Sequence, residues 1–427
     1  MRILLIAILL AGCGGSSSNS ESCATSAACS TEAPYCSAEA CSATCAADTE
    51  CPGFGQVATQ TFCEGGACVA CRQTMADCAA TTPVCAMGAC RRCERNDECG
   101  SGVCAADGSC VSEASIIYVA AAGSATSMCT RTDPCSLVRG IQLTPPKQHL
   151  LLDAGTHTLT ASLTIGGTRN LIGAGTVRPR VTNSANGPIF KAALGADITV
   201  EHLELTGAKN GITPPQTDAF AIQIPDGNIT VRAKDMLFSN NLGSGIDGRK
   251  CTIEVFDSTF LTNGRAIAIV DSKATIDRST FSDNNTALFL DAGLFTVTNN
   301  FIVRNEQAID LFANAGTRIE HNTVVDNTSG LSCQSFDGPM QFPNNLFARN
   351  TMNTPNLTDC ALSNSITAGT DIGPIKFKSP DAAPFDYHIT AGSSAIDLAA
   401  TSTATVDFDG EARPNGPAGD IGADELH

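Results

Sequence analysis

The segment DSTFLTNGRAIAIVDSKATIDRSTFSDNNTALFL, residues 257–290, states almost the same phrase twice. The phrase that runs from Asp257 to Asn263 is echoed from Asp277 to Asn284, and a short apolar run follows each copy. Repetition at an interval near twenty residues is typical of a solenoid, in which each repeat is one structural unit stacked on its neighbours. The question is how far this repeat extends.

The repeat extends through six copies when Phe260 is taken as the origin. Equivalent apolar residues recur at spacings of 22, 21, 21, 22 and 23, and an asparagine follows each by three residues. The origins are Phe238, Phe260, Phe281, Ile302, Val324 and Phe347, and the asparagines are Asn241, Asn263, Asn284, Asn305, Asn327 and Asn350. A small polar residue also stands two positions before most origins, at Ser258, Ser279, Asn300, Asn322 and Asn345.

Further apolar residues lie at offsets of two within each copy, which indicates β-strands because side chains alternate between faces. Examples are the columns Val255, Ile276, Val297, Ile319 and Phe342, and Ile267, Leu288, Ile309 and Leu331. A coil of about 22 residues then holds three short strands, and coils stack at the strand spacing of ~4.8 Å. Stacked asparagines satisfy one another and the turn backbone. The sequence predicts an all-β fold, a parallel β-helix of three-strand coils with the right-handed sense usual for parallel crossovers.

The N-terminus predicts export and a lipid anchor. An apolar run from Ile3 to Leu10 follows Arg2 and is too short to span a bilayer. The sequence LAGC, which ends at Cys13, resembles the bacterial lipoprotein signal, and the alternative is an ordinary secretory peptide. The resemblance implies removal of residues 1–12, lipidation of Cys13 and, with Gly14 next, retention at the outer membrane on its periplasmic or cell-surface face. Residues 13–22 would then be the anchor and a flexible tether, so that the lipid is the only membrane contact.

Residues 23–112 form a cysteine-rich module. Sixteen cysteines fall in four repeats, with too little apolar material to build cores, so disulfides are expected to replace burial. The repeats are Cys23, Cys29, Cys36 and Cys41; Cys45, Cys51, Cys63 and Cys68; Cys71, Cys78, Cys85 and Cys90; and Cys93, Cys99, Cys104 and Cys110. Their connectivity stays open. Zinc is the alternative, because two C-x2-C pairs end at Cys71 and Cys93, but export and the absence of nearby histidine favour disulfides.

Residues 115–427 resemble the choice-of-anchor Q proteins of the pectate-lyase-like β-helix superfamily. The resemblance is carried by LLLDAGTHTLTASLTI, residues 150–165, and, more specifically, by DFDGEARPNGPAGDIGADE, residues 407–425. It implies the β-helix fold and variable anchoring, without a known reaction. It also implies a C-terminal cap at about residues 396–425, in which Arg413 pairs with a carboxylate. A cation bound by the tail is the alternative, at Asp407, Asp409, Asp420 and Asp424.

No catalytic constellation of the polygalacturonase type is intact; for example, His321-Asn-Thr is not Gly-His-Gly. One column, three residues before each origin, is expected to face outward: His202, Asp235, Asp257, Arg278, Asn299, His321 and Asn344. A lyase would use Arg278 as the base, with Asp257 and either Asp277 or Asp235 as calcium ligands, and His321 is a further catalytic candidate. Asp271 and Asp291 are a second candidate calcium pair. The alternative for every one of these residues is a solvated turn.

Composition limits the function. A formal net charge of −17 disfavours nucleic acid, and the absence of Trp weakens the case for a sugar-processing groove. Phe260, Phe281 and Phe301 are expected to pack at or beside the inward column. We therefore expect a monomeric, non-catalytic surface protein that is involved in adhesion or in binding extracellular or cell-envelope polysaccharide. The alternatives are a polysaccharide lyase or glycosidase and a purely structural envelope protein, and calcium is the only cofactor suggested.

The remaining cysteines fit the same architecture. Cys129 and Cys135 would close a loop at the start of the β-helix, and Cys333 and Cys360 lie about one coil apart, within reach of a disulfide. Cys251 is left over, and we expect it to be a free, partly buried thiol.

Overall fold

The computed structural model describes residues 35–37, 40–42, 44–51, 62–72, 77–143, 147–209, 219–367 and 374–427. The chain divides into two compact units between Val111 and Ser112. The signal segment, Cys13, the tether, Cys23 and Cys29 lie outside the described residues.

The first unit consists of short antiparallel hairpins and disulfides. Its hairpins pair Tyr35–Ser37 with Ala40–Ser42, Phe62–Glu64 with Ala67–Val69, and Val84–Ala86 with Ala89–Arg91. Short 3-10 turns span Asp48–Glu50 and Asn96–Glu98. In the second, third and fourth repeats the first cysteine bonds the third and the second bonds the fourth: Cys45–Cys63, Cys51–Cys68, Cys71–Cys85, Cys78–Cys90, Cys93–Cys104 and Cys99–Cys110. These bonds occupy the sulfur atoms that zinc would require.

The second unit is a solenoid whose coils pass in turn through three parallel sheets, here called A, B and C. Sheet A contains Ile116–Ser124, His149–Leu152, Thr168–Gly173, Asp197–Glu201, Thr230–Lys234, Thr252–Phe256, Lys273–Asp277, the end of Thr286–Thr298, and Arg318–Glu320. Sheet B contains Thr156–Leu159, Arg180–Asn183, Glu204–Thr206, Leu237–Ser239, Thr259–Leu261, Thr280–Ser282, Phe301–Val303, Thr323–Val325, Leu346–Ala348 and Ile366–Thr367. Sheet C contains Leu163–Ile165, Phe190–Ala192, Ile222–Ile224, Ser244–Arg249, Arg265–Val270, the start of Thr286–Thr298, Gln307–Ala313, Ser329–Ser335 and Asn356–Thr358.

The predicted columns are present in the strand register. Phe260 pairs with Phe238 on one side and with Phe281 on the other, and the rings stack with centroids 4.5 and 4.9 Å apart. The same register continues through Ile302, Val324 and Phe347, all fully buried. Because each coil repeats the same apolar positions, one continuous core runs along the solenoid.

The predicted asparagine ladder is also present. The Asn284 side-chain amide donates to the Phe260 carbonyl oxygen at 3.1 Å and to Asn305 Oδ1 at 3.0 Å. Its Oδ1 accepts from the backbone and side-chain nitrogens of Asn263, both at 2.9 Å. A second ladder runs through the small polar column, for example from Asn300 Nδ2 to Asn322 Oδ1 at 2.9 Å. The ladders satisfy buried turn backbone that the strands cannot reach.

The turn between sheets A and B explains the column expected to face outward. Every member adopts a left-handed backbone: His202, Asp235, Asp257, Arg278, Asn299, His321 and Asn344, with φ from 46° to 61°. Asparagine, aspartate and histidine are enriched in this conformation. Backbone geometry is therefore sufficient to account for most residue types in this column.

The start of the solenoid is closed by the helix Leu137–Gln142, which follows the Cys129–Cys135 disulfide and a 3-10 turn at Glu113–Ser115. A Cβ at Gly140 would lie 3.1 Å from Ile117, Val119 and Leu150 side-chain atoms, so the helix packs tightly onto the first coil. Near the other end, Met340–Gln341 pairs with Cys360–Ala361, and Cys333 bonds Cys360. Both predicted disulfides of this unit are formed.

The C-terminal residues 374–427, here called the clasp, lie along the outer face of sheet B. The clasp contains the antiparallel strands Phe377–Ser379 and Asp386–Ile389. Its buried side chains, among them Tyr387 and Ile421, pack against outward residues of four coils: Phe301, Val303, Val325, Leu346, Ala348 and Ile366. The segment predicted as a cap, residues 396–425, thus belongs to a cover on the flank of the coils. The reason is that outward positions of sheet B are apolar here and need covering.

Candidate functional site

Arg278, the candidate base, lies in an ion-pair cluster. Its guanidinium donates to Asp257 Oδ1 at 2.8 Å and to Asp277 Oδ2 at 2.6 Å. Although burial opposes it, the hydrogen bond and the charge of Asp257 leave the pKa of Arg278 raised above its ordinary value. A proton-abstracting arginine needs the opposite shift. The geometry therefore gives Arg278 a structural role.

His321 is fully buried beneath the clasp, which corrects the expectation of an outward, accessible side chain. Arg413 Nη1 lies 2.8 Å from its Nδ1, and Asn344 Nδ2 lies 3.1 Å from its Nε2. Burial, helped by the Arg413 charge, lowers the pKa of His321 to about 3. A neutral, covered imidazole of this kind cannot shuttle protons to a substrate at ordinary pH.

Four of the five carboxylates proposed as calcium ligands form ion pairs with basic side chains. Asp235 forms an ion pair with Arg178, and its Oδ2 lies 2.5 Å from His202 Nδ1. Asp271 Oδ2 lies 3.2 Å from Arg249 Nη2. Asp257 and Asp277 share Arg278. Within the part of the chain that the structure describes, none of these four residues belongs to a group of three converging ligand atoms, and neither does Asp291. The structure therefore offers no calcium cage at these positions.

In the clasp, Arg413 is the centre of a buried network. Its Nη1 lies 3.4 Å from Glu425 Oε2 and donates to the Asp420 carbonyl oxygen at 2.6 Å. The carboxylate that the resemblance implied is thus Glu425. Asp420 accepts from the backbone N–H groups of Asp397 and Leu426, at 2.7 and 2.9 Å. These contacts fix the clasp backbone.

Cys251 is buried and is the one free cysteine among the cysteines that the structure describes. Its Sγ lies 3.4 Å from Ser272 Oγ, and burial raises the pKa of the thiol. A thiol with a raised pKa is a poor nucleophile, so this arrangement indicates packing.

The outer face of sheet C carries a different set of side chains, one that the repeat analysis missed. Between the inward residues Leu288 and Leu290, Phe289 points outward, and Arg265 lies over it with its guanidinium carbon 4.9 Å from the ring centroid. Phe312 of the next coil lies 6.5 Å from Phe289, and Phe336, which is 54% exposed, lies 6.3 Å from Phe312. An aromatic row therefore crosses three coils on an open face.

Two carboxyl groups flank Arg265 on this face. The pKa of Asp247 is raised to about 6 by burial, against the opposing charge of Arg265 and a hydrogen bond from Ser244. Burial also raises the pKa of Asp310, and the charge of Asp291 adds to the shift while Arg265 opposes it. Asp247, Arg265 and Phe220 line a cavity of about 500 Å³ beside the aromatic row. We call Asp247, Arg265, Phe289, Asp310 and Phe312 the sheet C site.

Strand register gives the spacing of the carboxylates. Asp247 and Asp310 occupy the same column three strands apart, which is roughly 14 Å at a strand spacing of ~4.8 Å. Asp291 and Asp310 lie on adjacent strands with a two-residue offset, which places their α-carbons roughly 8 Å apart. The sequence did contain a signal for the site. Most sheet C strands have two inward apolar residues separated by one outward residue, and these outward residues include Asp247, Phe289 and Asp310.

The comparisons with known proteins agree with this architecture. A family model described as the right handed beta helix region matches residues 220–370. The fold is a right-handed parallel β-helix. The predicted fold class and handedness are thereby confirmed, with about ten turns and a disulfide-rich N-terminal region.

Among solved structures, that of pectate lyase Pel9A matches with a TM-score of 0.51 and 14% identity, over 73% of this chain and 96% of that one. A rhamnogalacturonan lyase matches with a TM-score of 0.42 and 11% identity, over 62% of this chain and 90% of that one. No curated protein matches the sequence. At 14% identity, the likeness to the pectate lyase shows the fold alone. Within the described residues, no helix combines the length and the apolar composition of a membrane span.

Proposed function

We propose that the protein is a non-catalytic polysaccharide-binding protein, held at the outer membrane by a lipid on Cys13 and raised from it by the disulfide-rich module. The sheet C site is the proposed binding surface for an extracellular or cell-envelope glycan. The observation that carries the proposal is the position of Arg265 over Phe289, between two half-buried carboxyl groups on an open face. The aromatic ring can stack on a sugar ring, and the guanidinium and carboxyl groups can hydrogen-bond to sugar hydroxyls.

The chemistry of the site suits a neutral glycan. Aromatic rings present apolar faces to pyranose C–H groups, and guanidinium and carboxyl groups hydrogen-bond to hydroxyls. Two carboxyl groups accompany a single arginine, and the whole chain carries a net charge of −17. Both features repel polyuronates. The site extends over several stacked coils along the solenoid axis, so an extended chain can lie across them.

The test is binding to an immobilised panel of neutral and acidic polysaccharides, measured with calcium and with chelator, together with a search for products. Saturable binding without new reducing ends or unsaturated products supports the proposal. Binding that survives replacement of both Arg265 and Phe289 by alanine would place the ligand elsewhere and refute the assignment of the site.

The second candidate is a glycoside hydrolase, which one observation favours. Asp310 has a raised pKa, as a general acid requires, and Asp291 lies on the adjacent strand at a Cα separation of roughly 8 Å. Inverting hydrolases place their two carboxyl groups, rather than their α-carbons, ~6.5–9.5 Å apart, so this function requires the two side chains to keep the spacing of their strands. Release of reducing ends that is abolished by Asp310→Asn would establish this function. Ultraviolet absorbance from unsaturated products would instead indicate a lyase.

A further inference from the structure

The clasp brings together three side chains that the polysaccharide proposal does not use. One nitrogen of His388 and one carboxylate oxygen each of Asp409 and Asp424 lie within 4.8 Å of one another. His388 Nε2 is 3.0 Å from Asp409 Oδ2. The three residues come from different parts of the clasp, so its folding assembles a compact set of one nitrogen and two oxygen ligand atoms.

His388 is held in the orientation that metal-binding histidines usually have. Its Nδ1 donates to Asp386 Oδ1 at 2.5 Å, and Asp386 is itself held by Lys378 Nζ at 3.0 Å. Phe301 and Phe408 pack edge-on against the imidazole, with centroids 5.0 and 5.9 Å away. Nε2 is buried without a well-aligned hydrogen bond. A histidine bound to a carboxylate through one nitrogen presents the other to a metal ion in a fixed direction.

Three other acidic groups of the clasp, Asp407, Asp420 and Glu425, each accept at least two backbone N–H groups, which distinguishes them from Asp409 and Asp424. Asp407 Oδ1 accepts from the backbone N–H groups of residues 409 and 411, at 3.0 and 2.8 Å, and its Oδ2 accepts from that of Glu425 at 3.1 Å. Asp420 and Glu425 likewise accept backbone N–H groups. Asp424 has one such bond, from Ile389 N–H to Oδ2 at 2.6 Å, and Asp409 has an exposed side chain. Ligand capacity therefore remains at Asp424 and Asp409.

We propose that His388, Asp409 and Asp424 bind a divalent transition-metal ion of the zinc class. Three protein ligands suit such an ion and leave a fourth position for water or another ligand. A nitrogen ligand and only two carboxylates disfavour calcium, which takes six to eight oxygens. The Asp409 side chain is 48% exposed, so the cluster is open to solvent at this ligand.

The experiment uses the full-length, disulfide-intact protein after treatment with chelator. Zinc, cobalt and calcium are titrated separately by calorimetry, and cobalt is also followed by its visible absorption. We expect one zinc or cobalt ion per chain, and affinities about 100-fold weaker or lost in both Asp409→Asn and His388→Gln. His427→Gln is the matched control, because His427 belongs with Asp407 and Glu411 to the second group of converging ligand atoms in the clasp, and the variant should bind zinc as the unchanged protein does.

Several results would overturn the proposal. They are the absence of zinc binding, binding of calcium alone, loss of binding in His427→Gln, or retention of binding in either Asp409→Asn or His388→Gln. Sulfur-to-cobalt absorption would also overturn it, because it would show binding to thiolates. Circular dichroism of each variant confirms folding, and Asp409→Asn, at an exposed side chain, keeps the test valid if His388→Gln does not fold. The test does not depend on any glycan result.

Discussion

Replacing Asn284 by alanine tests the ladder that fixes the coil register. The side chain donates to the carbonyl oxygens of Phe260 and Ser282 and to Asn305, and it accepts two hydrogen bonds from Asn263. All of these groups are buried between coils. Each buried polar group left without its partner costs about 1–3 kcal/mol. Two such groups, the backbone N–H of Asn263 and the carbonyl of Phe260, predict a loss of about 2–6 kcal/mol.

The assay is guanidinium unfolding of the full chain followed by far-ultraviolet circular dichroism, which reports mainly the β-helix. The matched control is Asn285→Ala, an exposed neighbour that should change the unfolding free energy by less than ~0.5 kcal/mol. The comparison requires an unchanged slope with denaturant, since a changed slope signals a different transition. A loss below about 1 kcal/mol in Asn284→Ala, or equal losses in the two variants, would refute the ladder as a source of stability.

Three further predictions concern side chains that are buried or held in ion pairs. The pKa of His321 is lowered to about 3 in the folded state, so between pH 6.5 and pH 3 only the unfolded chain binds a proton at this residue. Acid therefore lowers the unfolding free energy. His321→Asn should show a smaller decrease in unfolding free energy between pH 7 and pH 4. Arg278→Gln should lower stability by about 1 kcal/mol at low salt and by less at 1 M salt, with polysaccharide binding unchanged; an equal loss at both salt concentrations would contradict the ion-pair account. Cys251 should resist a thiol reagent in the folded protein and react after denaturation, and fast native labelling that disappears in Cys251→Ser would contradict its burial.

Periodicity revealed the columns of the β-helix because every coil satisfies the same local rule. Phe260 and Asn284 stand at positions whose neighbours along the axis are 21 or 22 residues away, so sequence spacing translates directly into contact. The clasp follows no such rule. Tyr387 reaches Asp326 across 61 residues, and Arg413 reaches His321 across 92. Such contacts depend on tertiary packing, so spacing along the chain cannot predict them, and the cap rests on the family resemblance alone.

The sheet C site was missed for a related reason. Inward residues repeat their type from coil to coil, whereas the outward column of sheet C changes from Asp247 to Ala268 to Phe289 to Asp310. A surface column is free to vary because solvent imposes no packing constraint on it. Phe301 shows that an outward residue can also be buried. It lies on the outer face of sheet B, where its ring centroid is 4.5 Å from that of Phe408 in the clasp.

The most direct test of the account compares polysaccharide binding by the unchanged protein with that by Arg265→Ala and Phe289→Ala. Arg232→Ala is the matched control, because Arg232 lies on the outer face of sheet A, where it pairs with Asp197 and Glu254. Loss of an aromatic or arginine contact of about 1.4 kcal/mol or more corresponds to at least a tenfold weaker affinity. The account predicts that loss in both sheet C variants, none in the control and no release of reducing ends. Unchanged binding in the sheet C variants, or turnover of the bound glycan, would contradict it.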